Sequence, residues 1–129
     1  MSSPDMNKVQ EVFQSYLPRL SQVRHLPPLW GVWEEDRWTI EIQGQDYVFG
    51  SIDSGRRTII ARSPDAEEIA YCAFDYETFA IAYRLCAHKM SVAKDYRLFY
   101  FPKQVELMAE VSETWAKRLF LRQAKDLSL

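Results

Sequence analysis

Residues 62–119 read RSPDAEEIAYCAFDYETFAIAYRLCAHKMSVAKDYRLFYFPKQVELMAEVSETWAKRL, and this stretch decides the fold. It opens on Ser63-Pro64-Asp65, a helix start. Ser63 can accept orphan amide bonds, Pro64 suits the first helical position, and Asp65, Glu67 and Glu68 suit the positive end of the dipole. Ile69, Ala73, Tyr76, Ala80, Tyr83 and Ala87 then recur on one helical face, with Cys72, Phe79 and Cys86 beside them. Asp75 interrupts the apolar run and is a candidate break between two helices. Ser91–Asp95 reads as a loop and Tyr96–Phe101 as a dense aromatic stretch compatible with extended chain. Pro102 reads as the opening of a helix bearing Val105, Met108 and Val111. Ser112 reads as the cap of a final helix from Glu113 to about Asp126.

Upstream of Arg62 the period changes from helical to alternating. Arg37–Ile42 places Trp38, Ile40 and Ile42 on one face and Thr39 and Glu41 on the other. Tyr47–Ile52 and Arg57–Arg62 read as further strands, and Leu29–Trp33 as an apolar one. Glu34–Arg37, Gln43–Asp46 and Asp53-Ser54-Gly55 form polar turns, the last with a glycine free to take positive φ. Short turns favour antiparallel order. Residues Pro4–Val23 carry a helical stripe of Val9, Val12, Phe13, Tyr16, Leu17, Leu20 and Val23. Ser3 stands as cap and Pro4 as first helical residue. Pro18 kinks or ends this helix near Leu17, leaving one bent helix or two short ones. His25-Leu-Pro-Pro-Leu29 is a connector.

The expected class is therefore α+β: an N-terminal helix, an antiparallel sheet of three or four strands, and a C-terminal helical half packed on one sheet face. With 129 residues, 47% of them hydrophobic and 26% charged, we expect a single domain over residues 1–129. Four Trp, seven Tyr and seven Phe supply enough apolar surface for a core without staples. The net charge of −2 gives no concentrated basic surface, so no nucleic-acid partner is expected, although Arg56, Arg57 and Arg62 lie close together. Cys72 and Cys86, if on one helix, stand about 21 Å apart and cannot bond. No apolar run approaches a membrane span, and the opening MSSPDMNKVQ holds no apolar signal core. A cytoplasmic protein with reduced thiols and no membrane partner is the expectation.

Reactive chemistry is sparse. His25 and His88 stand far apart with no ligand spacing, so no metal is expected. Cys72 and Cys86 sit among Ala, Phe and Tyr and read as small core residues. The phosphate-cradling patterns G-x-x-x-x-G-K-[ST] and G-x-G-x-x-G and the hydrolase pattern G-x-S-x-G are all missing from the sequence. No cofactor and no catalytic residue are expected. The aromatics of Tyr96–Phe101 read as core. Trp30, Trp33 and Trp38 read as partly core, although an exposed Trp makes a binding hot spot.

Several spaced elements together resemble a known family. They are Asp65-Ala-Glu-Glu-Ile-Ala-Tyr71, Phe74-Asp-Tyr-Glu-Thr-Phe79-Ala, Asp95-Tyr-Arg97-Leu-Phe-Tyr-Phe101-Pro-Lys103-Gln104-Val-Glu106-Leu107, and Trp115-Ala-Lys117-Arg118-Leu119. The Gly55-Arg56 turn and the approach from Thr58 to Asp65 fit too, so that roughly residues 45–120 resemble the immunity protein 63 family of bacterial polymorphic toxin systems. At the turn, Ser54 departs from the acidic residue expected there. The resemblance implies a small cytosolic α+β protein encoded beside a toxin, which binds the C-terminal domain of that cognate toxin and protects the producing cell. It carries over no catalytic residues, the matching positions being mainly apolar and aromatic. Charge gathers in the predicted turns, so Glu34, Glu35, Asp36, Asp46, Asp53, Arg56 and Arg57 are the candidate toxin-binding residues. A small enzyme that reverses a toxin's modification and a protein-binding adaptor with another partner are the alternatives. Oligomeric state and the toxin's activity are not specified by the sequence.

Overall fold

Two helices follow a Ser-Pro-Asp triplet, and both begin on the aspartate. In the computed structural model, which describes residues 3–22, 28–90 and 97–128, α1 spans Met6–Tyr16 and α2 spans Ala66–Met90. Asp5 Oδ1 accepts the Asn7 amide at 2.9 Å, and Asp65 Oδ1 accepts the Glu67 amide at 3.0 Å. Expectation placed the serines there, with proline as first helical residue. The carboxylate wins because a charged acceptor at the positive helix end makes the stronger bond. Ser63 instead accepts the Asp65 amide at 3.0 Å and shapes the approach. Pro18 acts as expected: α1 ends at Tyr16 and a single 3-10 turn follows over Leu17–Arg19.

The chain forms two compact units, Met1–Ser15 with His25–Ala73 and Tyr16–Arg24 with Phe74–Leu129. The first holds β1 (Leu29–Trp30), β2 (Trp38–Gln43), β3 (Asp46–Asp53) and β4 (Arg56–Ser63), in sheet order β1-β2-β3-β4. The sheet is mixed, not antiparallel throughout. β2–β3 and β3–β4 are hairpins, but β1 pairs parallel to β2, with Leu29 beside Thr39 and Trp30 beside Ile40. The apolar run Leu29–Trp33 yields only two strand residues because Gly31 takes φ +77° and turns the chain away. The chain then runs past the far end of β3, where Glu35 bridges Ile52, before entering β2.

Both hairpins close on two-residue loops. Gly44 takes positive φ in the first, and both Ser54 and Gly55 do in the second, matching the twist of paired strands. One face of the sheet carries Ile40, Tyr47 and Phe49, all essentially buried. The Tyr47 hydroxyl accepts the Asp5 amide at 2.8 Å and donates to the Asp5 carbonyl at 3.1 Å, tying the start of α1 to the sheet. Phe13 of α1 meets Trp30 edge-on, with centroids 5.8 Å apart.

In the second unit, α3 spans Arg97–Val111 and α4 spans Glu113–Ser128. Ser112 caps α4 as expected, its Oγ accepting the Trp115 amide at 3.2 Å. Three expectations are corrected. Asp75 breaks nothing: α2 is continuous, and Asp75 is held by the Gln104 amide at 2.9 Å and by an ion pair with Arg122. Residues 97–101 are helical and Pro102 lies inside α3. Tyr100 packs edge-on against Phe79 at 5.3 Å and lies 5.9 Å from Tyr83, contacts that offset the amide bond lost at Pro102.

The buried stripe of α2 is also rotated from the expected one. It runs through Ile69, Ala70, Ala73, Phe74, Glu77, Thr78, Ile81, Ala82 and Cys86, while Tyr76, Phe79 and Tyr83 face outward. Polar Glu77 and Thr78 on the inner face hide it from an apolar count; Thr78 satisfies its hydroxyl on the Phe74 carbonyl at 2.7 Å. Cys72 and Cys86 are free thiols on this one helix. The connector over residues 23–27, with Val23 and His25, lies outside the described residues. So do the loop expected at Ser91–Asp95, Tyr96 and the side chain of His88. No helix among the described residues is long and apolar enough to cross a membrane.

Candidate protein-binding surface

Strand pairing sorts the charged residues into two groups. β3 rises about 3.4 Å per residue, so Asp46 at its start and Asp53 at its end stand about 24 Å apart. The sequence-derived set Glu34, Glu35, Asp36, Asp46, Asp53, Arg56 and Arg57 is therefore not one patch. Asp46 pairs with Arg62 at 3.6 Å near the β2–β3 turn, and Arg62 also donates to Gln43 at 2.9 Å. The other six gather where the β1–β2 connection passes the β3–β4 turn.

That gathering has a backbone cause. The Asp36 amide donates to the Ile52 carbonyl at 3.1 Å, which holds the connection against β3, and Asp36 itself takes φ 62°. Both Glu35 oxygens accept the Gly55 amide, at 3.1 and 3.2 Å. Carboxylate oxygens of Glu35, Asp36 and Asp53 thus lie within 4.8 Å of one another, all three residues exposed. Oxygens of this kind suit a hard cation. Three exposed carboxylates by themselves carry no metal assignment; their sure effect is a local negative potential. Glu34 extends it and reaches Arg37 at 4.0 Å.

Beside this acidic tip lies an aromatic and cationic patch on the sheet face opposite Ile40 and Phe49. Cross-strand pairing puts Thr39, Glu41 and Gln43, then Val48, Gly50 and Ile52, then Arg57 and Ile59 on this face. Trp33 lies over it. Its indole N–H donates to Glu41 at 3.0 Å, and the Arg57 guanidinium sits 4.7 Å from its ring centroid. Gln43 donates to the second Glu41 oxygen at 2.7 Å. The Gln43 bond and then the Trp33 bond hold the Glu41 carboxyl below its ordinary value of 4.5; burial opposes them by less than either bond, and the charge of Arg57 adds a still smaller lowering. Glu41 is thereby fixed as an anion that orients Trp33, and Trp33 in turn orients Arg57.

Sequence reading missed Glu41, Gln43 and Ile59 as parts of this surface. One signal was legible: a glycine inside a strand marks a bulge or a close approach. Gly50 marks both. The β3–β4 register shifts at Phe49/Gly50, and the Trp33 ring fills the space a side chain would take. The position of Trp33 itself follows from the turn at Gly31, which strand periodicity does not report.

In the second unit, α3 and α4 enclose an apolar groove of about 380 Å³ lined by Leu98, Phe101, Val105, Phe120 and Leu127 among others. Phe120 and Leu121 are more than half exposed.

Comparison with known proteins places this architecture. Neither a curated protein nor a solved structure matches the chain. The signature of the family described as Immunity protein 63 matches residues 44–125. That span begins at the β2–β3 turn and takes in β3, β4, α2, α3 and most of α4, including Asp46, Asp53, Arg56 and Arg57, while the loop bearing Trp33, Glu35 and Asp36 precedes it. With most of its length inside that signature, the chain belongs to the Immunity protein 63 family.

Proposed function

We propose that this protein neutralises a cognate bacterial toxin by binding directly to the toxin's C-terminal domain in the cytoplasm of the producing cell, without catalysis. Membership of the immunity protein family carries the reading. The exposed acidic tip supports it physically. Glu34, Glu35, Asp36 and Asp53 project negative potential from one end of the sheet, and such a surface speeds encounter with a basic partner by long-range attraction. Arg56 and Arg57 follow on β4 and supply cationic groups for contact at close range.

The test is co-expression with the C-terminal domain of the toxin encoded beside this gene. Growth rescue together with co-purification of the two chains is expected. Failure to rescue refutes the reading, and rescue with no stable complex replaces it with enzymatic reversal of the toxin's damage. Neutralising Glu34, Glu35 and Asp36 together is expected to slow association at low salt and to leave dissociation nearly unchanged. An unchanged on-rate removes the tip from the account.

A further inference from the structure

The geometry points to the outer edge of β4 as a strand-pairing site. It takes an extended segment of the partner protein with an apolar residue opposite Ile59 and a carboxylate opposite Arg57. This deepens the immunity reading and rests on it.

β4 ends the sheet, and its first half, Arg56–Ile59, is exposed. Antiparallel pairs alternate, so every second residue turns its N–H and C=O away from its neighbour strand. The Thr58 carbonyl points into β3, against Gly50. Arg57 and Ile59, one residue either side, therefore turn their backbone groups outward. Among the described residues, no backbone group outside the sheet bonds to them. Edge strands of natural proteins are usually short or covered. This one spans eight residues and leaves Ile59 44% exposed near its centre.

Side chains set what the edge accepts. Arg57 and Ile59 share one face. Arg57 is held against Trp33 at 4.7 Å, which leaves the rim of its guanidinium free for a planar carboxylate. β4 carries Arg56, Arg57 and Arg62 and no acidic residue. A partner strand with a carboxylate and an apolar residue two positions apart on one face matches this pattern. A second copy of the chain does not: antiparallel self-pairing of the Arg56–Ile59 half sets Arg57 opposite Ile59 and offers its guanidinium no carboxylate. The bulge near Ile60 confines the template to the Arg56–Ile59 half.

The test uses the full chain with the toxin C-terminal domain that it neutralises on co-expression. Amide exchange is followed by NMR in the free and bound protein. The Arg57 and Ile59 amides are expected to exchange freely alone and to gain at least about tenfold protection in the complex, while the Thr58 amide is protected in both. Ile59→Pro removes one outward N–H and no ladder bond, so the sheet tolerates it. It is expected to weaken binding by about 100-fold, against about tenfold for Ile59→Thr, which keeps the edge. A complex that leaves both amides unprotected and binds Ile59→Pro like the wild type overturns the inference and leaves the immunity reading standing. Concentration-dependent protection without the toxin domain overturns it in favour of self-pairing. No complex with the wild type removes both.

Discussion

Gly50→Ala tests the packing on which the candidate surface depends. Gly50 does not take positive φ, so alanine suits its backbone and only space opposes it. A Cβ there meets the Thr58 carbonyl oxygen and stands 2.9 and 3.3 Å from Cη2 and Cζ3 of Trp33. The carbonyl cannot retreat without opening the β3–β4 ladder, and Trp33 cannot retreat without leaving Glu41 and Arg57. Overpacking of this kind costs about 1–3 kcal/mol, and the backbone contact sets it at the upper end. Gly→Ala recovers about 0.4–1 kcal/mol by restricting the unfolded chain. A net loss of about 2 kcal/mol remains, a fall in Tm of about 6–10 °C for a chain of this size. Urea unfolding followed by tryptophan fluorescence measures it. Trp33→Ala in the same background relieves only the ring contact, so the double variant keeps a penalty from Thr58. A Gly50→Ala protein within about 0.5 kcal/mol of wild type refutes the reasoning.

Three further outcomes are expected. Asp5→Ala and Asp65→Ala each lose about 1 kcal/mol of unfolding free energy, and Ser63→Ala loses less, because the aspartates are the caps; the reverse order in denaturant titrations restores the serines to that role. Glu41 is lowered when folded, so its ionised form contributes stability that is present above the unfolded value near 4.5 and lost as pH falls below it. The stability gap between wild type and Glu41→Gln should therefore be flat above about pH 5.5 and narrow in more acid solution; a gap that ignores pH contradicts this. Gln104 is buried, donates to Asp75 and Thr78 and accepts from Gln123 at 3.0 Å. Gln104→Ala removes these bonds and takes the acceptor from the buried Gln123 amide, while Arg122 still holds Asp75 and the Phe74 carbonyl still accepts from Thr78; it is expected to cost about 1–3 kcal/mol by urea unfolding.

Where local chemistry and burial agreed, the sequence was readable. The alternation read over Arg37–Ile42, found as the strand Trp38–Gln43, the polar turn at Asp53-Ser54-Gly55 and the Ser112 cap all stand as expected, because each depends on neighbours a few residues away. Long-range satisfaction was not readable. Asp75 looks like a helix breaker until Gln104 and Arg122 reach it from residues far along the chain. Pro102 looks like a helix start until Tyr100 is seen packed on Phe79 and Tyr83. Glu77 and Thr78 rotate the buried stripe of α2 because a satisfied polar group buries as readily as an apolar one. The candidate surface divided along the same line. Its charges were visible as turn residues, but their grouping depended on the Asp36–Ile52 bond and the parallel bridge at Glu35, and Asp46 fell away from the rest.

The central claim is inhibition by stoichiometric binding, and one titration tests it most directly. Purified protein is added stepwise to a fixed amount of the toxin's C-terminal domain while toxic activity and complex formation are followed together. The account predicts that activity falls linearly to zero at a fixed, whole-number ratio of the two chains, and that the complex accumulates in step. Loss of toxicity at a small fraction of equivalence, with no complex recovered, would contradict it and mark the protein as an enzyme.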